Sequence, residues 1–234
     1  MRNVVITGAS SGIGRETAKR LVAGGHRVLA VARRRDRLEQ LRSDCAALSG
    51  EIFVESCDLT SPTLADQLLP RMLGTLKRVD VLINNAGAIV NRPFAELSDD
   101  DWALMWKINV MAPVHLIRAF LPHMGRDGVG HVVNLSSMGG VQGSVKFPGL
   151  SAYSSAKAAL AALTECLAVE LVERSVHVNC VALGAVQTEM LESAFPGYEA
   201  PLSAEEFAVF LADFAIGGHR FCNGTILPMA LSTP

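Results

Sequence analysis

Short apolar runs alternate with segments of helical periodicity along most of this chain of 234 residues. The runs are Val4 to Thr7, Arg27 to Ala32, Ile52 to Glu55, Val79 to Asn84, His131 to Leu135 and Val176 to Ala182. Mostly apolar runs fit strands that are buried on both faces, and parallel strands need helical crossovers between them. The alternation therefore predicts an α/β fold, a doubly wound parallel sheet with helices on both faces.

Helix starts are marked at three places between or after the runs. Ser61 precedes Pro62, Ser98 stands three residues before Asp101, and Ser203 stands three residues before Glu206. A serine followed by an acid at this spacing forms a capping box, and proline favours the first helical turn. No linker or repeat divides the chain, so we expect one domain over residues 1–234.

Composition argues against several classes of function. The net charge is −2 and hydrophobic residues make up 50% of the chain, so it lacks the basic field that nucleic-acid binding needs. The five cysteines form no CxxC pair and the histidines show no metal-ligand spacing, so we expect no metal. Without a signal peptide or a membrane span in the sequence, we expect a cytoplasmic protein that binds no membrane.

A glycine-rich segment, Thr7-Gly8-Ala9-Ser10-Ser11-Gly12-Ile13-Gly14, follows the first strand and leads into a helical stretch. Glycines permit a tight turn and a close approach of the backbone to a pyrophosphate, whose charge a helix N-terminus favours. Three glycines alone also occur in ordinary tight turns. Their place between a strand and a helix indicates a dinucleotide site of the Rossmann type.

The end of the second strand bears on the choice between the two nicotinamide cofactors. An acidic residue about twenty positions after the glycines binds the ribose 2′-hydroxyl, whereas a basic residue accommodates a 2′-phosphate. Here Ala32 is followed by Arg33 and Arg34. Because a guanidinium makes charge-assisted bonds to a phosphate, we predict NADP(H) as the cofactor. The alternative is a solvated, basic helix start.

Tyr153 and Lys157 lie four residues apart in a helical stretch, so both side chains point to one face. Reducing a carbonyl requires a proton donor, and a nearby ammonium would lower the pKa of a phenol for that task. The fifth strand ends in Ser136 and Ser137, which offers a hydroxyl for a developing oxyanion. A Tyr-x3-Lys pair without other support is also common in structural helices.

Asn109 precedes Pro113 by four residues in the helical segment from Asp101 to Met124. Proline has no N–H with which to bond the carbonyl four residues earlier. The backbone carbonyl of Asn109 is therefore expected to be free to hold a water.

These segments, with Asp58-Leu59 and Asn84-Asn85-Ala86-Gly87, resemble the short-chain dehydrogenase/reductase superfamily, one-domain subgroup, over residues 3–190 approximately. The resemblance implies one Rossmann-like domain that transfers a hydride between NADP(H) and a carbonyl or secondary alcohol. It also implies that the four catalytic residues are Asn109, Ser137, Tyr153 and Lys157. In this comparison Ser137 rather than Ser136 is the catalytic serine, and Asn109 anchors a water in a proton relay that reaches the lysine.

The resemblance also implies a cofactor site and shows departures from the family pattern. Leu183-Gly184-Ala185-Val186-Gln187-Thr188 matches a Pro-Gly-x-x-x-Thr segment that holds the nicotinamide amide, with Leu183 in place of proline. The expected cofactor residues are Gly8, Ser10, Ser11, Gly12, Ile13, Gly14, Arg33, Arg34, Asp58, Leu59, Asn85, Ala86, Gly87, Tyr153, Lys157, Gly184, Val186 and Thr188. Met138 and Leu183 are expected to contact substrate, and the long loop from Gln142 to Leu150 to shape its pocket.

Two hypotheses of function follow. The first is an NADP-dependent carbonyl reductase, or an alcohol or hydroxy-acid dehydrogenase, that acts on a small molecule and forms a homodimer or homotetramer by family analogy. The second is a non-catalytic, NADP(H)-binding regulatory protein on the same fold, which the departures from the family pattern motivate.

Overall fold

Seven parallel strands form one sheet in the order β3-β2-β1-β4-β5-β6-β7. The computed structural model describes residues 1–125 and 128–231. The strands are β1 (Asn3–Thr7), β2 (Arg27–Ala32), β3 (Glu51–Ser56), β4 (Val81–Asn84), β5 (Gly130–Ser137), β6 (Val176–Leu183) and β7 (Ile226–Met229). The order reverses between β1 and β4, which is where open parallel sheets of this kind bind ligands.

Helices connect the strands and cover both faces of the sheet. They are α1 (Gly12–Ala23), α2 (Arg35–Asp44), α3 (Leu64–Thr75), α4 (Asp99–Trp106), α5 (Ala112–Phe120), α6 (Ser151–Glu170), α7 (Glu189–Ala194) and α8 (Ala204–Gly217). Within the described ranges no helix is both long and apolar enough to cross a membrane.

Two large apolar layers, one on each face of the sheet, form most of the core, and a smaller cluster surrounds Met105 and Ala156. Side chains alternate along β1, so Val4 and Ile6 belong to one layer and Val5 to the other. The first layer packs against α1, α2 and α8, and the second packs against α3 and α5. This arrangement confirms the doubly wound α/β fold that the alternating pattern predicts.

Two of the three expected helix starts are confirmed. The hydroxyls of Ser98 and Ser203 accept the backbone N–H groups of Asp101 and Glu206, whose carboxylates bond back, so both form capping boxes. The third expectation is wrong, because α3 begins at Leu64 rather than next to Ser61. The Ser61 hydroxyl instead accepts a local bond from the backbone of Thr63, and the chain stays in a turn.

The expected helix over residues 101–124 is interrupted. A π-helical turn, Lys107–Met111, separates α4 from α5, and the Ala112 N–H reaches back to the Lys107 carbonyl. Pro113 stands in the first turn of α5, where its missing N–H is least costly. The extra residue in this turn determines how Asn109 is presented.

The seventh strand was not predicted from the apolar pattern. It has only four residues and contains Pro228. Proline is tolerated here because β7 lies at the edge of the sheet.

Candidate active site

A cleft of about 520 Å³ lies at the carboxyl ends of the strands. The turns that follow β1, β2, β3 and β4, the end of β5, the start of α6 and the segment after β6 all line it. The sheet therefore collects, at one edge, segments that are far apart in the sequence.

The β1–α1 turn forms a glycine cradle, in which positions 8, 12 and 14 require glycine. Gly8 and Gly12 have φ values of +70° and +53°, which favour glycine. A Cβ on Gly14 would lie 2.4 Å from Asn85 Nδ2 and 2.5 Å from the Gly8 carbonyl oxygen. The backbone can therefore approach a ligand closely, as a pyrophosphate requires.

Polar contacts join this cradle to the end of β4. Thr7 Oγ1 accepts the backbone N–H groups of Asn85 and Ala86 at 3.1 and 3.0 Å, and Asn85 Nδ2 donates to the Thr7 carbonyl at 2.8 Å. The Asn-Asn-Ala-Gly turn thus holds the two central strand ends together beneath the cleft.

Basic side chains lie at the adenosine end expected from the sequence. Arg34 donates to Ser11 Oγ at 2.6 Å and to Ser10 Oγ at 3.1 Å, and it also pairs with Glu189 at 2.9 Å. Arg33 is exposed and lines the same part of the cleft. Two hydroxyls and the guanidinium groups form a donor set that fits an anion such as a phosphate.

Asp58 and Leu59 lie beside these arginines at the end of β3 and line the cleft. Asp58 Oδ1 accepts the Thr60 backbone N–H at 2.9 Å, and bonds from Thr60 lower the pKa of the Asp58 carboxyl. Leu59 is 5% exposed, so its side chain presents a small apolar surface. Both residues therefore line the same cleft as Arg33 and Arg34.

Tyr153 and Lys157 meet at the other end of the cleft, on the first turns of α6. Lys157 Nζ lies 5.8 Å from the centre of the Tyr153 ring and donates to the Leu135 carbonyl at 2.8 Å. Lys157 is buried, whereas Tyr153 is half-buried and faces the cleft. The helical spacing thus places both groups together, with the ammonium beneath the ring.

Burial dominates the ionisation of this pair in the ligand-free protein. It raises the pKa of Tyr153 to about 12, with a smaller opposing effect from a hydrogen bond with Ser137. It lowers the pKa of Lys157 to about 8. The lowered phenol pKa expected from the spacing is therefore wrong for this state, because desolvation of the phenol dominates its pKa.

The two serines at the end of β5 have different roles. Ser136 is buried and donates to the Lys157 backbone carbonyl at 2.8 Å. Ser137 is half-buried; its oxygen accepts the Gly139 N–H at 3.2 Å, and its hydroxyl also hydrogen-bonds with the Tyr153 phenol. Successive strand residues point to opposite faces, so only Ser137 reaches Tyr153.

Asn109 is buried next to Lys157 but its amide is already bonded. Its Nδ2 donates to the carbonyls of Ala88 and Met105, both at 3.0 Å, and its Oδ1 accepts the Ala88 N–H at 3.3 Å. A Cβ on Gly87 would lie 2.9 Å from Asn109 Oδ1 and 3.4 Å from Lys157 Nζ. Gly87 therefore allows both side chains to approach the end of β4, and the backbone carbonyl of Asn109 stays the expected water ligand.

Only some residues of the segment after β6 line the cleft. Leu183 and Thr188 line the cleft, and the Thr188 hydroxyl caps α7 by accepting the Leu191 N–H at 3.2 Å. The Val186 side chain packs in the core, so a cofactor contact from it is restricted to the backbone. The Gly184 N–H donates to the Met229 carbonyl of β7 at 2.9 Å.

Met138, expected near the substrate, is half-buried behind Ser137 and does not line the described cleft. The long loop after it lines a second cleft of about 880 Å³, together with the start of α6 and the loop from Asn91 to Phe94. Gly139 separates this second cleft from Ser137, since a Cβ there would lie 3.7 Å from Ser137 Oγ.

Sequence reasoning missed several residues of the cleft, among them Leu104, Ile108 and Glu189. Leu104 and Ile108 are four residues apart and precede Asn109, a spacing that marks one helix face. Glu189 directly follows Thr188, but its approach to Arg34 spans 155 residues of sequence and carries no local signal.

A family model described as short chain dehydrogenase matches residues 2–199. Among curated proteins, the fatty acyl-CoA reductase of Acinetobacter baylyi is 36% identical over 207 residues, which are 87% of this chain and 69% of that protein.

Solved structures show the same fold. The L-sorbose reductase of Gluconobacter frateurii, solved with NADPH and L-sorbose, has a TM-score of 0.89 at 26% identity and covers 99% of this chain and 96% of its own. A protein from Beutenbergia cavernae that holds NADP at low occupancy has a TM-score of 0.87 at 30% identity, with coverages of 97% and 94%.

Proposed function

The chain belongs to the short-chain dehydrogenase/reductase family, and from this premise we propose that it is an NADP(H)-dependent oxidoreductase acting on a carbonyl or secondary alcohol. The observation that carries the proposal is the single cleft that joins the glycine cradle to Tyr153 and Lys157. A cofactor laid along the cleft from Arg34 toward Tyr153 has its reactive end near the only phenol that lines it.

Tyr153 is proposed to move the proton. When bound, the nicotinamide supplies or accepts the hydride. In reduction the Tyr153 phenol donates its proton to the carbonyl oxygen, and in oxidation the phenolate accepts it. Ser137 donates a hydrogen bond to the developing negative charge on that oxygen. The raised pKa of Tyr153 keeps the phenol protonated at neutral pH, so a proton is available for reduction, and the nearby Lys157 ammonium favours its release.

Lys157 and Asn109 are proposed to support Tyr153. The Lys157 side chain is held under the ring by the Leu135 carbonyl, so it can stabilise the phenolate when the proton leaves. The Asn109 amide fastens the π-helical turn to Ala88, and that anchorage orients the Asn109 backbone carbonyl for a proton-carrying water. Their roles are therefore to hold charge and to relay a proton.

The preference for NADP(H) is supported by Arg34 with Ser10 and Ser11, which present hydrogen-bond donors at the adenosine end. Two similar solved proteins hold NADPH or NADP. No carboxylate follows β2 directly, where it would repel a 2′-phosphate.

A carbonyl reductase is the proposed activity within the EC 1.1.1 type. Two of the similar proteins are named as reductases, of a fatty acyl-CoA and of L-sorbose. The same cleft is lined by Leu104, Ile108, Leu183 and Met190, so we expect a substrate with an apolar group beside its carbonyl.

NADPH oxidation against a panel of ketones and aldehydes tests the activity. We expect turnover by the unmodified protein and a loss of at least about a hundredfold in Tyr153→Phe, because the general acid is removed. Tyr198→Phe is the matched control, since Tyr198 does not line the cleft, and it should keep its activity. Equal turnover by Tyr153→Phe, or none by the unmodified protein, would contradict the enzyme proposal and favour a regulatory NADP(H)-binding protein.

Equilibrium binding of NADPH and NADH at physiological salt tests the cofactor. We expect tighter binding of NADPH, since only the 2′-phosphate, and not the 2′-hydroxyl of NADH, brings a negative charge to the Arg34 guanidinium. NADH bound as tightly as NADPH would refute the preference while leaving the oxidoreductase assignment intact.

We also propose one cytoplasmic domain that assembles as a homodimer or homotetramer. Exposed apolar side chains support the assembly, among them Trp106 on α4 and Val169 on α6, which is 78% exposed. Multi-angle light scattering should give a mass above that of one chain, and a monomer at working concentration would rule the assembly out.

A further inference from the structure

One carboxylate bridges Arg34, which lines the cleft, and Arg37, which lies next to it outside the lining. Glu189 Oε2 pairs with Arg34 Nη1 at 2.9 Å, and its other oxygen pairs with Arg37. The same Arg34 guanidinium donates to Ser10 and Ser11. Glu189 is exposed and both arginines are half-buried, so this ion-pair bridge is open to a ligand from solvent, whereas Ser10 behind it is buried.

The bridge crosses the cleft. Arg34 is the N-cap residue of α2 on one side, whereas Glu189 begins α7 on the other. Near this point the two sides also touch at the glycine turn, because a Cβ on Gly12 would lie 3.1 Å from Thr188 Cγ2. Arg34, Thr188 and Glu189 all line the cleft.

A carboxylate held by two guanidiniums resembles a bound phosphate. A carboxylate is a planar oxyanion and a phosphate is a tetrahedral one, but both accept paired N–H donors from arginine. The same donor set therefore favours both. Glu189 is ionised here, because the hydrogen bonds from Arg34 and Arg37 hold the pKa of its carboxyl below the usual range. In the ligand-free protein the arginines are thus already occupied by an anion.

We propose that Glu189 stands in for the ribose 2′-phosphate at Arg34 and Arg37, competes with that phosphate, and latches α7 across the cleft until NADP(H) displaces it. The inference rests on the proposed function only in taking a nicotinamide dinucleotide as the ligand. It makes Glu189 a specificity-determining residue, because its competition acts against the phosphorylated cofactor alone.

The difference in negative charge decides which of the two anions binds the arginines. A phosphate monoester carries more negative charge than a carboxylate at neutral pH, so it prevails at the arginines when both are present. The Glu189 carboxylate would then face the phosphate without its arginine partners, and repulsion favours its withdrawal. Release of Glu189 frees the start of α7, the short segment that covers this side of the cleft.

Binding measurements on Glu189→Gln test the competition. Neutralising Glu189 removes two surface ion pairs, so we expect NADPH to bind about threefold to tenfold more tightly, and NADH to change by less than about twofold. Glu192→Gln is the matched control, because Glu192 lies on the same helix and bonds the Gly197 backbone rather than an arginine. It should leave both affinities unchanged.

Amide hydrogen exchange on α7 tests the latch without turnover. Adenosine 2′,5′-bisphosphate carries the 2′-phosphate but no nicotinamide, so it reaches only the adenosine end. We expect it to speed exchange of the α7 amides in the unmodified protein, and 5′-AMP, which has no 2′-phosphate, to leave them unchanged. In Glu189→Gln those amides should exchange quickly from the start and respond to neither nucleotide.

The outcomes separate the two proposals. If the unmodified protein binds neither NADPH nor adenosine 2′,5′-bisphosphate, the NADP(H) assignment fails and the latch fails with it. If both bind but Glu189→Gln matches Glu192→Gln in affinity and exchange, only the latch is overturned. An equal gain for NADPH and NADH would show that Glu189 obstructs entry without competing with the phosphate, which also overturns the proposal.

Discussion

At the scale of single residues, the chemistry of the cleft depends on which of two neighbouring hydroxyls is free. Ser136 and Ser137 are the same residue type, yet Ser136 donates to the buried Lys157 carbonyl, whereas Ser137 hydrogen-bonds with the Tyr153 phenol. The family resemblance points to Ser137, and the strand geometry gives the physical reason. A pair of single substitutions can therefore separate a chemical role from a structural one.

We expect Ser137→Ala to lower kcat for reduction by about tenfold to a thousandfold, because a donor to the developing oxyanion is lost. Its stability should change little. Ser136→Ala should instead lower the free energy of unfolding by about 1 kcal/mol, as a buried carbonyl of Lys157 loses its partner. Steady-state kinetics and urea unfolding of both variants give the comparison, and a larger kinetic defect in Ser136→Ala would reverse the assignment.

At the scale of elements, the β1–α1 turn and the π-helical turn show two ways of bringing backbone to a site. The first depends on glycines that leave room for Asn85 and for a ligand. The second inserts an additional residue before Pro113, so that Asn109 faces Ala88. Both turns are local distortions that regular helix or strand geometry would not produce.

Gly14→Ala tests how closely the β1–α1 turn packs against Asn85. The new methyl group would overlap Asn85 Nδ2 and the Gly8 carbonyl, so we expect a loss of about 2 kcal/mol or more in unfolding free energy and weaker NADPH binding. Gly74→Ala is the control, because Gly74 lies in α3 with open space around it. That substitution should be neutral or stabilise by up to about 1 kcal/mol. Equal stability of the two variants would contradict the claim that position 14 has no room for a side chain.

At the scale of the whole molecule, three histidines meet at the edge of the sheet opposite the cleft, where β5 and β6 begin. His131 lies on β5, His177 on β6 and His219 in the turn that follows α8. The rings of His131 and His219 have centroids 5.5 Å apart, and those of His177 and His219 are 6.3 Å apart. His131 is fully buried between the Ala215 carbonyl and the Asn179 amide, at 2.9 and 3.1 Å. Their spacing in the sequence gives no sign of this cluster.

This cluster predicts a loss of stability in mild acid. Burial lowers the pKa of His131 to about 4, and the neighbouring histidines act in the same direction. The unfolded chain binds the proton near pH 6.5, so the stabilisation is complete above that pH and is lost as the pH falls toward 4. Between pH 7.5 and 5 we expect the free energy of unfolding to fall by about 2 kcal/mol from this residue.

Urea unfolding at the two pH values measures the effect. His131→Gln should be less stable at pH 7.5 but should lose about 2 kcal/mol less than the unmodified protein on going to pH 5. His123→Gln, outside the cluster, should keep the full pH dependence. An unmodified protein that is equally stable at both pH values would show that His131 is not held neutral by the fold.

Sequence patterns predict the layered α/β fold and two of the three helix starts, and together with the family resemblance they predict most of the residues that line the cleft. These features depend on local or periodic signals: buried strands, glycines at fixed positions, and serines three residues before an acid. Only the tertiary structure decided the contacts between distant segments. Glu189 meets Arg34, and His131 meets His219, because the sheet order brings their strands and loops together. Burial likewise exists only after folding, so the raised pKa of Tyr153 follows from the packed protein and not from its spacing to Lys157.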